Sequence, residues 1–366
     1  MKLSERVMSV RPSGVRKIFD MARKIKDPIN LSIGEPDFDI PEPIKEEGIS
    51  WIRAGFNKYT PSGGIPELRE MLLHHLKKDK GILCDDVIIT AGVTGGLLLA
   101  LMVTLNPLDE VIIPDPYFVL YEYQVMLLGG RPVFVDTYPD FTIKEEKLRA
   151  AITDKTKVIL INSPNNPTGM VLSKEESEMI VRVAREKNLL LFSDDIYDKF
   201  VYDSEEKRVY LGSLYENALT FGGFSKTWGM TGWRLGYVAG PTEIIQCMVT
   251  MQQYVFSSVN SFAQKAALKA LQHNTGDLID AYRKKRDLIY EGLRDKYNVI
   301  KPKGAYFIFP EVPGGDGDRF VEKALKKNLF IIPGSVFSNK KTNVRISFAA
   351  SEDNIIRGIE ILRKMV

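Results

Sequence analysis

The chain has 366 residues with a hydrophobic fraction of 44%, so it can bury a sizeable core, and its length predicts two domains. Because 50 basic side chains are balanced by 47 acidic ones, the net charge of +3 gives no sign of a nucleic-acid-binding surface. No apolar run approaches the roughly 18 residues of a membrane span and the start lacks a signal peptide, so we expect a soluble cytoplasmic protein.

The N-terminal part of the chain combines predicted helices with a glycine-containing loop. Apolar residues at helical spacing predict an amphipathic helix over residues 13–26. A short predicted strand in INLSIGEPDF runs into a loop where Gly34 can bring the backbone close to a ligand, although this loop could equally be a plain turn. A helix is predicted over residues 44–54, and another begins near Pro66, after the turn KYTPSGG that contains Tyr59.

The middle of the chain repeats the order of apolar strand, loop and helix. Strands are predicted at 86–90, 110–113, 157–161, 188–192 and 218–221. The first ends in AGVTGG before the helical LLLALMVTL, an order in which backbone amides at the helix start can hold a phosphate. The alternation predicts a mostly parallel α/β sheet whose ligands bind beyond the carboxyl ends of the strands.

The rest of the chain is predicted to be helical and then to change pattern. Helices are predicted at 242–253, 258–273 and 277–296, after a strand-like YVAG. From residue 299 onward, short alternating strands precede a closing helix at 351–365. This change suggests a second, α+β domain that the N-terminal residues complete.

The stretch FGGFSKTWGMTGWRLGY places two cations among small and apolar residues. Lys226 follows the last strand of the series, and Arg234 comes eight positions later. A lysine in apolar surroundings loses its proton more easily and becomes a nucleophile toward aldehydes, whereas an arginine suits a phosphate. A lysine exposed at the surface is the plain alternative. Pyridoxal phosphate is the common aldehyde cofactor with a phosphate arm, and Asp194 or Asp195 could supply the acid that its ring nitrogen requires.

Three motifs of the sequence occur in the same order as in a known family: SPNNPTG, SDDIY and SKTWGMTGWRLGY. On these motifs the sequence resembles the class I/II aminotransferases of fold type I, and within them it is most similar to the aspartate and aromatic group. INLSIGEPDF, KYTPSGGIPELRE and NVRISFA match further parts, so the resemblance covers residues 13–363. It implies a large α/β domain over residues 44–276, built on a mostly parallel seven-stranded sheet flanked by helices. Residues 1–43 and 277–366 would form the smaller α+β domain.

The resemblance also implies a cofactor, a reaction and a subunit arrangement. The cofactor would be pyridoxal 5'-phosphate, and the reaction a ping-pong transfer of an amino group from an L-amino acid to a 2-oxo acid. Tyr59 would cross to the neighbouring site of a homodimer. A β-elimination lyase, a cyclopropane-forming synthase and a non-catalytic sensor on the same fold are the alternatives. The 2 cysteines and 3 histidines show no metal-binding spacing, so no metal is expected.

Carried over residue by residue, the resemblance makes Lys226 the Schiff-base lysine and the general acid/base. Asp194, preferred over Asp195, would pair with the pyridine nitrogen, and Tyr197 and Asn166 would hydrogen-bond the phenolic oxygen. Read without this context, Tyr197 is a core aromatic and Asn166 a turn residue. Phosphate contacts are implied for four residues: Val93, Thr94, Ser225 and Arg234.

Three more residues would contact the cofactor ring or the substrate. Phe118 would stack on the ring, Arg345 would take the substrate α-carboxylate together with Asn166, and Gly34 would lie alongside it. An exposed arginine on an edge strand is the alternative for Arg345. The specificity for the substrate's side chain stays open. A dicarboxylic substrate would need a further cation for its distal carboxylate, whereas an aromatic substrate could bind in a pocket lined by Tyr306. The cations considered for this are Arg11, Arg16 and Lys17.

Overall fold

The structure is a computed structural model that describes residues 4–8, 10, 12, 14–203 and 208–366. Its strands are β1 (Ile29–Asn30), β2 (Asp86–Thr90), β3 (Glu110–Asp115), β4 (Arg131–Asp136), β5 (Thr156–Asn162), β6 (Leu190–Asp194), β7 (Ala218–Gly223), β8 (Gly236–Gly240), β9 (Phe307–Ile308), β10 (Leu329–Phe330), β11 (Ile332–Pro333) and β12 (Val344–Ser347). Its helices are α1 (Glu5–Met8), α2 (Gly14–Ala22), α3 (Glu42–Arg53), α4 (Pro66–Lys80), α5 (Gly92–Thr104), α6 (Leu120–Leu127), α7 (Glu145–Ala150), α8 (Lys174–Glu186), α9 (Leu211–Leu214), α10 (Thr242–Val255), α11 (Ser261–Gln272), α12 (Gly276–Leu293), α13 (Gly317–Leu325) and α14 (Glu352–Arg363).

Within the described residues, the large sheet has seven strands in the order β2-β8-β7-β6-β5-β3-β4. Six of them run parallel, and β8 pairs antiparallel with both of its neighbours. Helices pack on both faces, which is why the strands read as near-continuous apolar runs. The predicted fold class is therefore confirmed. The strand β4 was not predicted from the sequence; it lies at the edge of the sheet and contains Pro132.

Several helix bounds differ from the prediction, each for a local reason. α2 ends at Ala22 and not near residue 26, because the chain turns through Asp27, whose φ is +51°. α5 starts at Gly92, inside the glycine-rich loop. α11 starts only at Ser261, because Asn260 caps it by accepting from the Ala263 amide at 3.4 Å. α12 ends at Leu293, three residues before the predicted end.

The smaller sheets lie near the chain termini. β1 pairs in parallel with β10, and β12 lies between β11 and β9 in an antiparallel sheet. A buried hydrophobic cluster joins these strands to α2, α12 and α14. Arg345 lies on β12, the central strand of its sheet, and is 1% exposed. The alternative of an exposed arginine on an edge strand is therefore wrong.

The direction of the strands determines where the polar loops meet. The carboxyl ends of the parallel strands lie at one edge of the large sheet, and the antiparallel β8 begins at that same edge. Residues that follow β5, β6 and β7 therefore lie close to the residues that precede β8. Among the described residues, no helix is both long and apolar enough to cross a membrane.

Candidate active site

A cavity of about 270 Å³ opens at the carboxyl edge of the large sheet. Apart from Tyr59, every site residue predicted from the sequence lines it: Gly34, Val93, Thr94, Phe118, Asn166, Asp194, Tyr197, Ser225, Lys226, Arg234 and Arg345. Tyr59 lies outside this cavity and is 88% exposed. The topology thus brings together residues as far apart in the sequence as Gly34 and Arg345.

Lys226 lies just beyond the end of β7, with its amine inside the protein. Its Nζ donates a hydrogen bond to the Gly34 carbonyl oxygen at 2.6 Å. Burial lowers the pKa of Lys226 to about 8, with Glu35 opposing the change and Arg234 adding to it. Near neutral pH more of this amine is therefore unprotonated than in an ordinary lysine, and the unprotonated form is the nucleophile toward an aldehyde.

Asp194 and Asp195 face opposite sides of the sheet edge, because consecutive residues of a strand alternate in direction. Asp194 is 3% exposed and lines the cavity, where its Oδ2 accepts from the Tyr121 hydroxyl at 2.7 Å. Its Oδ1 accepts from the Ile196 amide at 3.1 Å. Burial raises the pKa of Asp194 to about 6, so the group is still mostly ionised at neutral pH. Asp195 instead pairs with Arg208 at 2.7 Å.

Asn166 connects the end of β5 to Arg345. The Asn166 amide donates to Asn162 Oδ1 at 2.8 Å, and Asn162 Nδ2 donates to the Asp194 carbonyl oxygen at 2.9 Å. The side-chain oxygen of Asn166 then accepts from Arg345 Nη1 at 2.9 Å. These bonds fix Asn166 between the acidic end of the cavity and its arginine.

Tyr197 lies beside Lys226 with its ring against other aromatic rings. Its ring centroid is 5.9 Å from Lys226 Nζ and 5.2 Å from the Tyr306 centroid, with the two rings nearly perpendicular. Burial raises the pKa of Tyr197 above its ordinary value, so the hydroxyl keeps its proton and can donate it in a hydrogen bond.

Arg345 is buried without a carboxylate partner among the described residues. Its guanidinium carbon lies 4.5 Å from the ring centroids of both Phe307 and Phe337. Nη2 donates to the Ser32 carbonyl oxygen at 2.7 Å, whereas Nε has no partner within the described chain. Burial lowers the pKa of Arg345 to about 10, which still leaves it charged at neutral pH. The positive charge of Arg345 is therefore not balanced by a carboxylate of the described chain.

Two glycines allow Arg234 to reach the start of α5. A Cβ on Gly92 would lie 2.7 Å from Arg234 Nη2, and a Cβ on Gly236 would lie 2.7 Å from the Val93 nitrogen. Gly92 has a φ of +68°, a conformation that glycine adopts without strain. Amides in the first turn of a helix lack intrahelical partners, so Val93 and Thr94 present donors beside this cation.

Comparison with known proteins identifies the family. The model of the family described as aminotransferase class I and II matches residues 26–362. The chain belongs to this family. It is 38% identical to the probable aspartate aminotransferase of Methanocaldococcus jannaschii, over 99% of each chain. It is also 38% identical to aromatic-amino-acid aminotransferase 2 of Thermococcus litoralis, over 100% of this chain and 98% of that protein.

Solved structures agree with the sequence relatives. Aspartate aminotransferase from Thermus thermophilus with maleate has a TM-score of 0.95 to this chain, at 35% identity and with both chains covered completely. The aspartate aminotransferase of Thermotoga maritima has a TM-score of 0.94 at 33% identity, over 99% of each chain. The protein is an aminotransferase, and the predicted reaction class is confirmed.

The aminotransferase site includes residues that sequence reasoning missed. Tyr121 holds Asp194, Asn162 holds Asn166, and the Thr231 hydroxyl donates to Glu35 at the rim of the cavity. A tyrosine inside PYFVLYEY carries no signal that separates it from ordinary packing. Asn162 lies in NSPNNPTG, where the asparagine-rich pattern could have suggested it.

Among the three cations considered for a distal carboxylate of the substrate, the structure describes the side chain of Arg16 alone. Arg11 and the side chain of Lys17 lie outside the described residues. Arg16 contacts Asp20 at 3.3 Å with a side chain that is 68% exposed, whereas the neighbouring Val15 lines the cavity. Tyr306 is fully buried, and its hydroxyl donates to the Gly34 carbonyl oxygen at 3.2 Å.

Proposed function

We propose that this aminotransferase binds pyridoxal 5'-phosphate in the cavity and transfers amino groups from an L-amino acid to a 2-oxo acid by a ping-pong reaction. The observation that carries the proposal is that one cavity holds a lysine of lowered pKa, a buried carboxylate and two arginines. When bound, the cofactor supplies an aldehyde and an electron-withdrawing ring.

The residues present fit this cofactor. Gly92 leaves room for the Arg234 guanidinium beside the free amides of α5, which suits a phosphate. Asp194 is ionised at neutral pH and buried, which suits a protonated ring nitrogen. The Lys226 amine lies in the same cavity and supplies the nucleophile for the aldehyde.

Each protein group has a definite task in this proposal. Lys226 Nζ would supply the amine nucleophile for the aldehyde of the bound cofactor, and once free it would carry the proton removed from the substrate α-carbon. Asp194, held by Tyr121, keeps a negative charge at the far end of the cavity. Tyr197 and Asn166 would donate hydrogen bonds to the phenolic oxygen of the cofactor. Further contacts come from the aromatic face of Phe118 and from phosphate donors at Val93, Thr94, Ser225 and Arg234.

Arg345 orients the substrate. Its guanidinium is fixed between Phe307 and Phe337 and has no carboxylate partner within the described chain, so the α-carboxylate of an amino acid can complete its coordination. Gly34 lies beside it, because a Cβ on Gly34 would be 3.9 Å from Arg345 Nη1. Every L-amino acid carries the same α-carboxylate, so this contact fixes orientation and leaves side-chain choice to other residues.

The subunit and domain arrangement are part of the proposal. The exposed Tyr59 does not line the cavity of its own chain, which supports a homodimer in which it reaches the phosphate of the neighbouring site. We also propose the domain division at residues 44–276 against residues 1–43 with 277–366. The hydrophobic cluster that joins α2 to α12 and α14 supports this division.

The test is an assay of the purified protein with pyridoxal 5'-phosphate. L-Aspartate or L-phenylalanine is supplied as donor with 2-oxoglutarate as acceptor, because the relatives are named for aspartate and aromatic substrates. We expect the donor's 2-oxo acid and glutamate in equal amounts. Release of ammonia without an acceptor would indicate a lyase, and no product with any donor would contradict the proposal.

A further inference from the structure

A cluster of four charged residues lies behind the active-site strand, on the side away from the cavity. It consists of Lys80 at the end of α4, Asp195 and Asp198 after β6, and Arg208. We call it the charge cluster. Asp195 follows Asp194 directly, so the cluster begins one residue from the carboxylate that lines the cavity.

The charge cluster is tightly paired and removed from solvent. Lys80 Nζ lies 2.5 Å from Asp198 Oδ2, and Arg208 Nη2 lies 2.7 Å from Asp195 Oδ1. The four side chains are between 4% and 12% exposed. Both cations also lie near the ring of Tyr210, with Arg208 at 4.5 Å and Lys80 at 5.4 Å from its centroid.

The charges of this cluster compensate one another. Burial raises the pKa of Asp195 to about 6, and Arg208 and Lys80 oppose the change, so Asp195 is mostly ionised at neutral pH. Burial alone would lower the pKa of Lys80, but Asp198 keeps it above its ordinary value. The charge cluster therefore contains two carboxylates and two cations, and the net charge of these four residues is close to zero.

Loss of one cation would leave an uncompensated negative charge beside Asp194. A buried charge acts over several ångströms because the protein interior screens it weakly. The groups that act on Asp194 are Tyr121 and the Ile196 amide by hydrogen bonds, and Asp195 and Lys226 by charge. Among them, Asp195 is the like charge, and Arg208 is its direct partner.

We propose that Arg208 is a positioning residue for transamination, because it neutralises Asp195 and so lets Asp194 remain ionised beside the bound cofactor. This inference rests on the proposed role of Asp194. Arg208 also donates to the Ser163 carbonyl oxygen after β5, so it joins the ends of the two strands that carry Asn162 and Asp194. A test must separate this structural link from the effect of charge.

The experiment measures Asp194 directly in the cofactor-free protein. Carbon-13 NMR of aspartate-labelled protein gives the pKa of Asp194, with its signal assigned by Asp194→Asn. Arg208→Met leaves Asp195 unpaired, Arg208→Lys keeps the charge, and Arg208→Met with Asp195→Asn removes both charges. Arg185→Met, which breaks the exposed pair of Arg185 with Glu216, is the control.

We expect Arg208→Met to raise the pKa of Asp194 by about one, a tenfold gain in proton affinity. Arg208→Lys and the double variant should restore the original value to within a few tenths. The dissociation constant of pyridoxal 5'-phosphate should follow the same order, about tenfold weaker in Arg208→Met alone. An unchanged pKa in Arg208→Met, or an equal shift in the double variant, would overturn the proposal.

Variants of the second ion pair, Lys80 with Asp198, provide the same test if Arg208→Met does not fold. Lys80→Met should raise the pKa of Asp194 in the same direction, and adding Asp198→Asn should reverse the change. The NMR readout uses no substrate and no cofactor. A protein that fails to transaminate can therefore still support or contradict the role of the charge cluster, and the two proposals fail separately.

Discussion

Two buried arginines differ in how their charge is balanced: Arg286 has carboxylate partners within the chain, whereas Arg345 has none among the described residues. Arg286 on α12 is 0% exposed and donates to Asp287 at 2.8 Å, to Asp203 at 2.9 Å and to the Pro302 carbonyl oxygen at 2.8 Å. Burial alone would lower the pKa of Arg286, but Asp203 and Asp287 hold it above its ordinary value. The positive charge of Arg286 is thus balanced by carboxylates within the chain.

Arg345 is equally buried, but no carboxylate within the described chain balances its positive charge. Its two hydrogen-bond acceptors, Asn166 Oδ1 and the Ser32 carbonyl oxygen, are neutral, and burial lowers its pKa to about 10. Lys226 resembles it, because its Nζ donates to the neutral Gly34 carbonyl oxygen. Neither Lys226 nor Arg345 forms a salt bridge within the described chain, so we expect substitutions of these two cations to differ in effect from substitutions of paired ones.

The largest expected effect is at Lys226. Lys226→Ala removes the nucleophile and the proton carrier, so we expect kcat to fall by about 10³-fold or more, while pyridoxal 5'-phosphate still binds noncovalently. Steady-state assays and cofactor titration measure the two effects. Lys226→Arg is the matched control, because it keeps the charge but cannot lose its proton, and it should be equally inactive. Full activity in either variant would contradict the role.

Arg345→Ala should weaken every amino-acid substrate alike. Losing one partner of a buried charge pair costs about 2–5 kcal/mol, which corresponds to a fall in kcat/KM of about 30-fold or more. The temperature of unfolding is measured in parallel, because this variant also leaves a cavity and removes the donor to Asn166 Oδ1 and to the Ser32 carbonyl oxygen. Measurements with aspartate, phenylalanine and leucine test this, and a loss confined to one donor would contradict it.

Gly92→Ala should weaken cofactor binding by about tenfold, equivalent to about 1.4 kcal/mol. The added Cβ would press on Arg234 Nη2 at 2.7 Å and strain a backbone at φ +68°. Gly55→Ala is the matched control, because its φ is +84° but its Cβ would meet no atom within 4 Å. Titration with pyridoxal 5'-phosphate compares them, and equal affinities would show that the contact with Arg234 does not matter.

Arg286→Met should act on stability and not on catalysis. It leaves Asp203 and Asp287 without their buried partner, and because both acids are partly hydrated we expect a loss of about 1–3 kcal/mol in the free energy of unfolding. Urea denaturation measures this. Arg294→Met, which breaks an exposed pair with Glu291, should change stability by less than about 0.5 kcal/mol. A loss of kcat in the folded Arg286→Met protein would remove the distinction between the two arginines.

The sequence predicted most of the sheet because the buried strands are apolar runs and most of them are followed by turn residues and a helix. The edge strand β4, RPVFVD, was not predicted. The domain division and the residue roles stay predictions.

The resemblance supplied the candidate site residues, and the structure adds their surroundings. It shows that Asp194 faces the cavity and Asp195 does not, which follows from strand alternation once the end of β6 is known. Tyr121, Glu35 and Arg208 could not be predicted, because their partners are distant in sequence or belong to loops. Hydrogen bonds of this kind depend on three-dimensional placement and leave no periodic pattern.

The most direct test of the account is to identify the residue that bonds the cofactor. The protein is loaded with pyridoxal 5'-phosphate, reduced with borohydride, digested and analysed by mass spectrometry. We predict one phosphopyridoxyl group per chain, on the peptide that contains Lys226. Stoichiometric labelling of a different lysine, or no stable label after reduction, would contradict the assignment of this cavity as the active site.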